Sequence, residues 1–185
     1  LIHIYTDGSI YLNHGGTEMG QGLHTKMASL VAEEFDLPVS QIKVSATDTS
    51  KVPNTSATAA SSGSDLNGMA VLNAVNILKS RLADLICSIF AVDKKSIFYK
   101  NGHVVFHGGK ITFPNLVRKA YEQRVHLSAV GFYKTPKIHW DREKGKGRPF
   151  YYFSYGAAVT EVTVDILTGE SVVDRVDILH DVGES

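Results

Sequence analysis

The chain has 185 residues, 19 Lys+Arg against 19 Asp+Glu, a formal net charge of zero, and 43% hydrophobic and 21% charged residues. That is the make-up of an ordinary globular protein, with enough chain for one core or for one core and part of another. Zero net charge with no basic face gives nucleic-acid binding no electrostatic footing. The longest apolar stretch, Leu82 to Val92, is broken by Asp84 and Ser88 and falls short of the roughly 20 residues that cross a bilayer.

In chain order, Leu1 to Tyr5 and Ile10 to Asn13 are short apolar runs around an Asp7-Gly8 turn, a hairpin signal. A helix is expected from Leu23 to Phe35, where Leu23, Met27, Leu30, Val31 and Phe35 recur at the helical period, with Pro38 as its stop. Ile42 to Ala46 reads as a strand. A long helix follows, with Ser64 as N-cap and Leu66, Ala70, Ala74, Ile77, Leu78, Leu82 and Leu85 on one face. Cys87, the single cysteine, falls in that helical pattern among Leu85, Ile86, Ile89 and Phe90 and is expected as a buried thiol. A lone cysteine excludes an internal disulfide and any iron–sulfur cluster held within the chain.

Ser96 to Lys100 and His103 to His107 suggest a second hairpin around Asn101-Gly102. Two histidines four apart suit zinc on a helix but not on a hairpin, so metal binding there is not expected. Phe113 to Tyr121 reads as a short helix with Pro114 near its start. Asp141 to Arg148 is charged and glycine-containing, most simply a solvated loop. From Phe153, two long alternating strands surround a Leu167-Thr168-Gly169 turn. The expected class is α+β: a two-layer, small mixed sheet with helices on one face (β-β-α-β-α-β), followed by a β-hairpin. The expected division is residues 1–110 as one subdomain, 111–149 as a connecting helix and loops, and 150–185 as the start of a second, truncated subdomain.

Two segments stand out. Gly15-Gly16-Thr17-Glu18-Met19-Gly20-Gln21-Gly22 and Thr58-Ala59-Ala60-Ser61-Ser62-Gly63-Ser64-Asp65-Leu66-Asn67-Gly68 are small-residue loops, each opening into an amphipathic helix. Small residues let backbone approach a ligand closely, and a helix start offers unpaired N–H donors and the positive end of a dipole. Two such loops suggest a ligand with several polar or anionic oxygens, held from two sides. Gln21, between two glycines, carries donors and an acceptor suited to a polar ring edge. Asp65 and Asn67 suit organising the second helix start. His14 and His24, flanking the first loop, suit hydrogen-bonding or surface roles. No G-x-x-x-x-G-K-[ST] is present and no G-x-G-x-x-G follows a strand, which leaves a nucleotide-phosphate module as a remote alternative.

With these letters, the two loops resemble the molybdopterin-binding subunit of the xanthine dehydrogenase and aldehyde oxidase family. The stretch from His14 to Lys26 is similar to its first pterin-contacting loop and helix, and Val52 to Ser61 to the loop passing beside the molybdenum. Leu127 to Pro136, Tyr152 to Ala158 and Asp181-Val182-Gly183 are similar to later family segments, the last two more to xanthine dehydrogenases than to aldehyde oxidases. Ser62-Gly63-Ser64 resembles bacterial two-subunit enzymes.

The resemblance implies a molybdenum–molybdopterin cofactor contacted by Met19, Gly20, Gln21, Gly22, Thr58, Ala59, Ala60, Ser61, Gly63 and Ser64. The Ala60 backbone would lie near the molybdenum without supplying a side-chain ligand. It also implies 2Fe-2S and FAD groups on another chain or segment, an iron–sulfur/FAD partner subunit, an oligomer, a cytoplasmic location and a role in purine catabolism. The reaction implied is oxidation of xanthine or hypoxanthine with oxygen from water; an aldehyde or another azaheterocycle is the alternative substrate. The chain begins at Leu1 without Met and stops at Ser185, so an internal fragment is expected. The family's general-base glutamate would then lie beyond Ser185 and several substrate contacts before Leu1, making the fragment alone inactive and leaving no catalytic residue within it. Glu18 does not match that base and is expected to be structural.

Overall fold

The computed structural model describes residues 1–51 and 55–183; Val52, Pro53 and Asn54 of the second loop, and Glu184 and Ser185, lie outside the described residues. The chain divides into two compact units, Leu1–Lys134 and Thr135–Ser185.

In the first unit, strands β1 (Ile2–Ile4) and β2 (Ile10–Leu12) pair antiparallel with Ile2 opposite Leu12. Gly8 turns the chain at φ +87°, and the Asp7 carboxylate holds the turn by accepting from the Ser9 N–H at 2.8 Å and hydroxyl at 2.6 Å. Helix α1 (Leu23–Phe35) buries Leu23, Met27, Val31 and Phe35. It ends at Asp36, whose left-handed backbone (φ 48°) lets the Leu37 N–H reach back to the Ala32 carbonyl. This chain reversal, rather than Pro38, stops the helix. Strand β3 (Ile42–Val44) lies parallel to β2, so α1 is the crossover that parallel neighbours require.

Helix α2 (Gly63–Phe90) is 28 residues long, and its N-cap is Ser62 rather than Ser64. Its buried stripe is Val71, Ala74, Val75, Leu78, Leu82, Leu85 and Ile86, rotated from the expected face. Ile77 is 39% exposed. The helix carries more apolar residues than one face holds, so the period alone leaves its rotation open. Cys87 sits at the edge of that stripe and is half-buried, not buried.

Beyond α2, β4 (Phe98–Lys100), β5 (His103–Phe106) and β6 (Gly109–Thr112) form an antiparallel meander. Its first turn, Asn101-Gly102, has both residues at positive φ (48° and 71°), as the sequence suggests. The third strand, absent from the sequence reading, opens with Gly109 and has no alternating apolar signal. Helix α3 (Phe113–Glu122) carries Pro114 in its first turn, and the Thr112 hydroxyl accepts from the Asn115 N–H. Strand β7 (Ser128–Ala129) then pairs antiparallel with β1, giving the sheet order β3-β2-β1-β7.

The core lies between this mixed sheet and the helices, with Ile2, Ile10 and Leu12 facing Leu23, Val31, Val75, Leu78 and Ile86. Phe35 contacts both Phe113 and Tyr99 at 5.3 Å between ring centroids. Lys79 of α2 donates to the Glu34 carbonyl (2.8 Å) and carboxylate (2.9 Å) and lies 5.1 Å over the Tyr99 ring, linking α2, α1 and β4. On both sides of β7 the chain is tied to α2: Arg81 donates to the His126 and Ser128 carbonyls, and Asn73 to the Phe132 carbonyl at 2.6 Å.

The second unit opens with β8 (His139–Asp141) and β9 (Lys146–Arg148), an antiparallel hairpin in the segment expected to be a loop. The Asp141 carboxylate accepts from the Glu143 and Lys144 N–H groups and closes the turn. Strands β10 (Gly156–Val164) and β11 (Ser171–His180) form the long expected hairpin, with a register irregularity between Glu161 and Val162. The pairing sets Ala158 against Ile178, Thr160 against Val176 and Val162 against Val173, a largely apolar face, all of it exposed.

Gly131 tests the packing of the first unit. A Cβ there would sit 1.8 Å from the Ala70 carbonyl oxygen and 2.7 Å from the Ala74 nitrogen, both backbone. Gly131→Ala should destabilise the protein by at least the ~1–3 kcal/mol of an overpacked core. Gly68, inside α2, would place its Cβ 3.7 Å from Leu30 and Met27, in ordinary contact. Gly68→Ala should therefore be neutral or stabilising by up to ~1 kcal/mol, from helix propensity. Thermal unfolding of both variants, with opposite signs expected, checks this.

Candidate cofactor site

The first loop joins β2 to α1. Gly15 and Gly16 are needed for close approach: a Cβ on Gly15 would meet Thr55 at 2.4 Å, and one on Gly16 would meet Leu23 at 2.4 Å and Asn67 at 2.9 Å. Gly20 (φ +99°) and Gly22 (φ +75°) have open space around them and serve the backbone path. The side chains of the loop fold back on it. The Gln21 amide oxygen accepts from the Met19 N–H at 2.6 Å, and its Nε2 donates to the Thr17 carbonyl at 2.8 Å. Glu18 Oε1 accepts from the Gly20 and Gly22 N–H groups and Oε2 from the His24 N–H, each at 2.9 Å. The His24 N–H leads the hydrogen bonds that hold the Glu18 carboxyl below the usual carboxylate range.

The second loop is fastened to the first by hydroxyls. Thr58 Oγ1 accepts from the Thr17 N–H and Thr47 Oγ1 donates to the Gly16 carbonyl, both at 2.8 Å. The chain then makes a 3₁₀ turn at Ala60–Ser62 and enters α2, where Ser62 gives no side-chain cap. Asn67 Nδ2 donates to the Gly63 carbonyl at 2.8 Å, the helix-start role expected of it. Asp65 Oδ1 is buried without a hydrogen-bond partner among the described residues.

These elements wall a cavity of about 940 Å³. Of the residues expected to contact the cofactor, Thr58, Ala59 and Gly63 line it; Met19, Gly20, Gln21, Gly22, Ser61 and Ser64 are not among its lining residues. Ala60 is placed by its backbone at the start of the 3₁₀ turn. The lining also includes Asn13, His14, Lys51, Phe132 and Tyr133, which sequence reasoning did not assign to a site. The small-residue loops carried a composition signal, whereas these come from separate elements brought together only by the fold. Among the described residues, no three His, Cys, Asp or Glu side chains gather as a metal centre.

His14 joins the loop to the cavity wall. It is only 7% exposed; its Nδ1 accepts from the Gly16 N–H at 3.1 Å, so its Nε2 carries the proton donated to His24 Nδ1, also at 3.1 Å. The two rings meet edge to face at 4.9 Å. Burial, then the His24 charge, pushes the His14 pKa down from 6.5 to about 4. The folded state thus keeps this ring neutral where the unfolded chain binds a proton, so stability is full above pH 6.5 and falls as pH drops toward 4. The expected loss is on the order of 3 kcal/mol across that window. His14→Gln should flatten this part of the profile, measured by urea unfolding at several pH values; an unchanged slope would assign the proton uptake elsewhere.

Comparison with known proteins places this geometry. The whole chain, residues 1–185, matches a family described as molybdopterin cofactor-binding domain. It is 45% identical over 185 residues to xanthine dehydrogenase/oxidase of Gallus gallus, covering all of this chain and 12% of that protein. It is 46% identical over 181 residues to aldehyde oxidase 2 of Macaca fascicularis, covering 98% of this chain and again 12% of the relative. Among solved structures, CO dehydrogenase from Oligotropha carboxidovorans superposes with a TM-score of 0.78 at 21% identity, over 97% of this chain and 22% of that one, a likeness of fold. The chain thus spans 12% of the length of these curated relatives. Its match from first residue to last shows that it belongs to the molybdopterin cofactor-binding domain family.

Proposed function

We propose that this chain is the cofactor-gripping part of a longer xanthine dehydrogenase-type molybdenum hydroxylase that oxidises xanthine or hypoxanthine with oxygen from water. The observation that carries the reading is the clasp of two small-residue loops, joined through Thr17–Thr58 and Gly16–Thr47, at a cavity of about 940 Å³. The residues fit such a cofactor. The volume lies within the ~300–1,000 Å³ of small-molecule sites. Asn13, His14 and Asn67 supply polar lining, and α2 begins beside it with N–H groups that no side chain caps.

When bound, the cofactor would supply the redox centre and the activation of water. The residues of this chain bind and orient it. Thr58, Ala59, Ala60, Ser61, Gly63 and Ser64 would hold it from the α2 side, and Met19, Gly20, Gln21 and Gly22 from the outer loop. The Ala60 backbone would lie near the molybdenum without supplying a side-chain ligand. The acid–base glutamate would come from sequence beyond residue 185, and 2Fe-2S and FAD from another segment or subunit of a cytoplasmic oligomer. The division into 1–110, 111–149 and 150–185 belongs to the same reading.

A second substrate class enters through the 46% identity to an aldehyde oxidase, which falls between the 45% and 49% found for two xanthine dehydrogenases. Turnover of xanthine against an aromatic aldehyde by the full-length enzyme decides between them; aldehyde turnover without urate formation would select the second reading.

Ala59→Leu in that enzyme should cut molybdenum content and turnover together, by ~10²-fold in turnover, because the side chain enters the cavity where reacting groups must be placed. Thermal stability should fall by no more than the ~1–3 kcal/mol of overpacking. A well-folded variant with wild-type molybdenum content and turnover would move the cofactor away from this loop.

A further inference from the structure

The two helix starts at the site are treated differently. At α2, Ser62 makes no cap. At α1 the Gly22 N-cap has no side chain to offer, yet the position is filled from within the loop: the Glu18 carboxylate accepts from the Gly20, Gly22 and His24 N–H groups, each at 2.9 Å. A charged acceptor at a helix start satisfies orphan donors and opposes the dipole. It also takes the donors that an anionic ligand would need.

Gly20 and Gly22 both lie at positive φ, and neither side-chain packing nor a cap holds them there, since a Cβ on either would meet nothing within 4 Å. Glycine is free to leave such a conformation. The Glu18 oxygens are what tie both glycine N–H groups to the first turn of α1. The ring closed by Gln21 depends on the same path, because Met19 and Gln21 lie on either side of Gly20.

We infer that Glu18 is a positioning residue for the cofactor: its carboxylate occupies the α1 N-terminus as an internal anion and holds the Met19–Gly22 loop in the shape that meets the pterin. The inference rests on the proposed molybdopterin function. Glu18 here neither moves a proton nor touches a reacting atom; it acts through the loop it braces.

The test uses the full-length enzyme with Glu18→Gln and Glu18→Ala. Glutamine keeps the size and one acceptor oxygen, but its NH₂ would face the His24 N–H, donor against donor. Bound pterin and molybdenum per polypeptide, the rate of pterin loss from the purified protein, and the unfolding temperature of the cofactor-free form are measured side by side. The expected result is pterin loss accelerated roughly tenfold in both variants, the scale seen when outer supports of a metal site are removed, with the cofactor-free unfolding temperature little changed in Glu18→Gln. Retention and loss rates equal to wild type would overturn the inference. So would a fall in unfolding temperature as large in Glu18→Gln as in Glu18→Ala with pterin retained in the folded fraction, because that outcome makes Glu18 a fold residue only. A wild-type protein purified without pterin would instead overturn the function on which the inference rests.

Discussion

Helix α2 sets the constraint that the rest of the first unit obeys. Its middle and C-terminal turns supply the buried face from Val71 to Ile86, while its first turns wall the cavity with Gly63, Leu66 and Asn67. A helix is stiff along its length, so fixing one end in the core fixes the other at the site. The surrounding segments are fitted to it: α1 through Lys79 and Glu34, and residues 126–132 through Arg81, Asn73 and the contact at Gly131 that no Cβ permits. The site is therefore as rigid as the core beneath it, and loops that carry no regular structure inherit their positions from side chains anchored elsewhere.

Electrostatics then separates the two loops. One helix start is neutralised by a carboxylate of its own chain, the other has no side-chain cap, and a neutral imidazole, held neutral by burial, sits between the first loop and the cavity. Fixed N–H dipoles, the neutral His14 ring and the Lys51 ammonium on the cavity wall suit a ligand that brings its own negative charge. The Asp65 oxygen in the first turn of α2, without a hydrogen-bond partner among the described residues, runs against that pattern. A buried acceptor without a donor is costly, and a ligand N–H or a water is the natural donor for it.

Much of this is legible in the amino-acid sequence. The bounds of α1, the Asp7-Gly8 and Asn101-Gly102 turns and the proline-started α3 follow from period and turn chemistry, which act over a few residues. The loops carried the family because their small residues are demanded by close approach, as Gly15 and Gly16 show against Thr55 and Leu23. What was not legible depends on distant parts. The rotation of α2 is decided by what packs on it, so Val71, Val75 and Ile86 displaced Ile77 from the buried face. The destination of a flexible polar side chain is decided by unmet donors nearby: Gln21 turns inward to Met19 and Thr17, and Glu18 to the start of α1. Strands β6 and β7 are too short to announce themselves, four and two residues held by partners elsewhere in the chain.

The pairing of β7 with β1 has a bearing on how the protein is made. His3 and Ser128 are neighbours in the sheet but stand 125 residues apart in the chain. At the ribosomal pace of about 5–20 residues per second, β1 would wait roughly 6 to 25 s for its outer partner. Over that interval β1 and β2 can close their own hairpin in microseconds, and α1 can bring β3 alongside, yet one edge of the sheet stays bare. An open edge invites pairing with other chains. Ile2 and Ile4 of β1 point into the core and are interrupted by His3, which puts an ionisable ring rather than a third aliphatic side chain on the waiting strand. A nascent chain thus carries a polar interruption on the strand that stays unpaired longest.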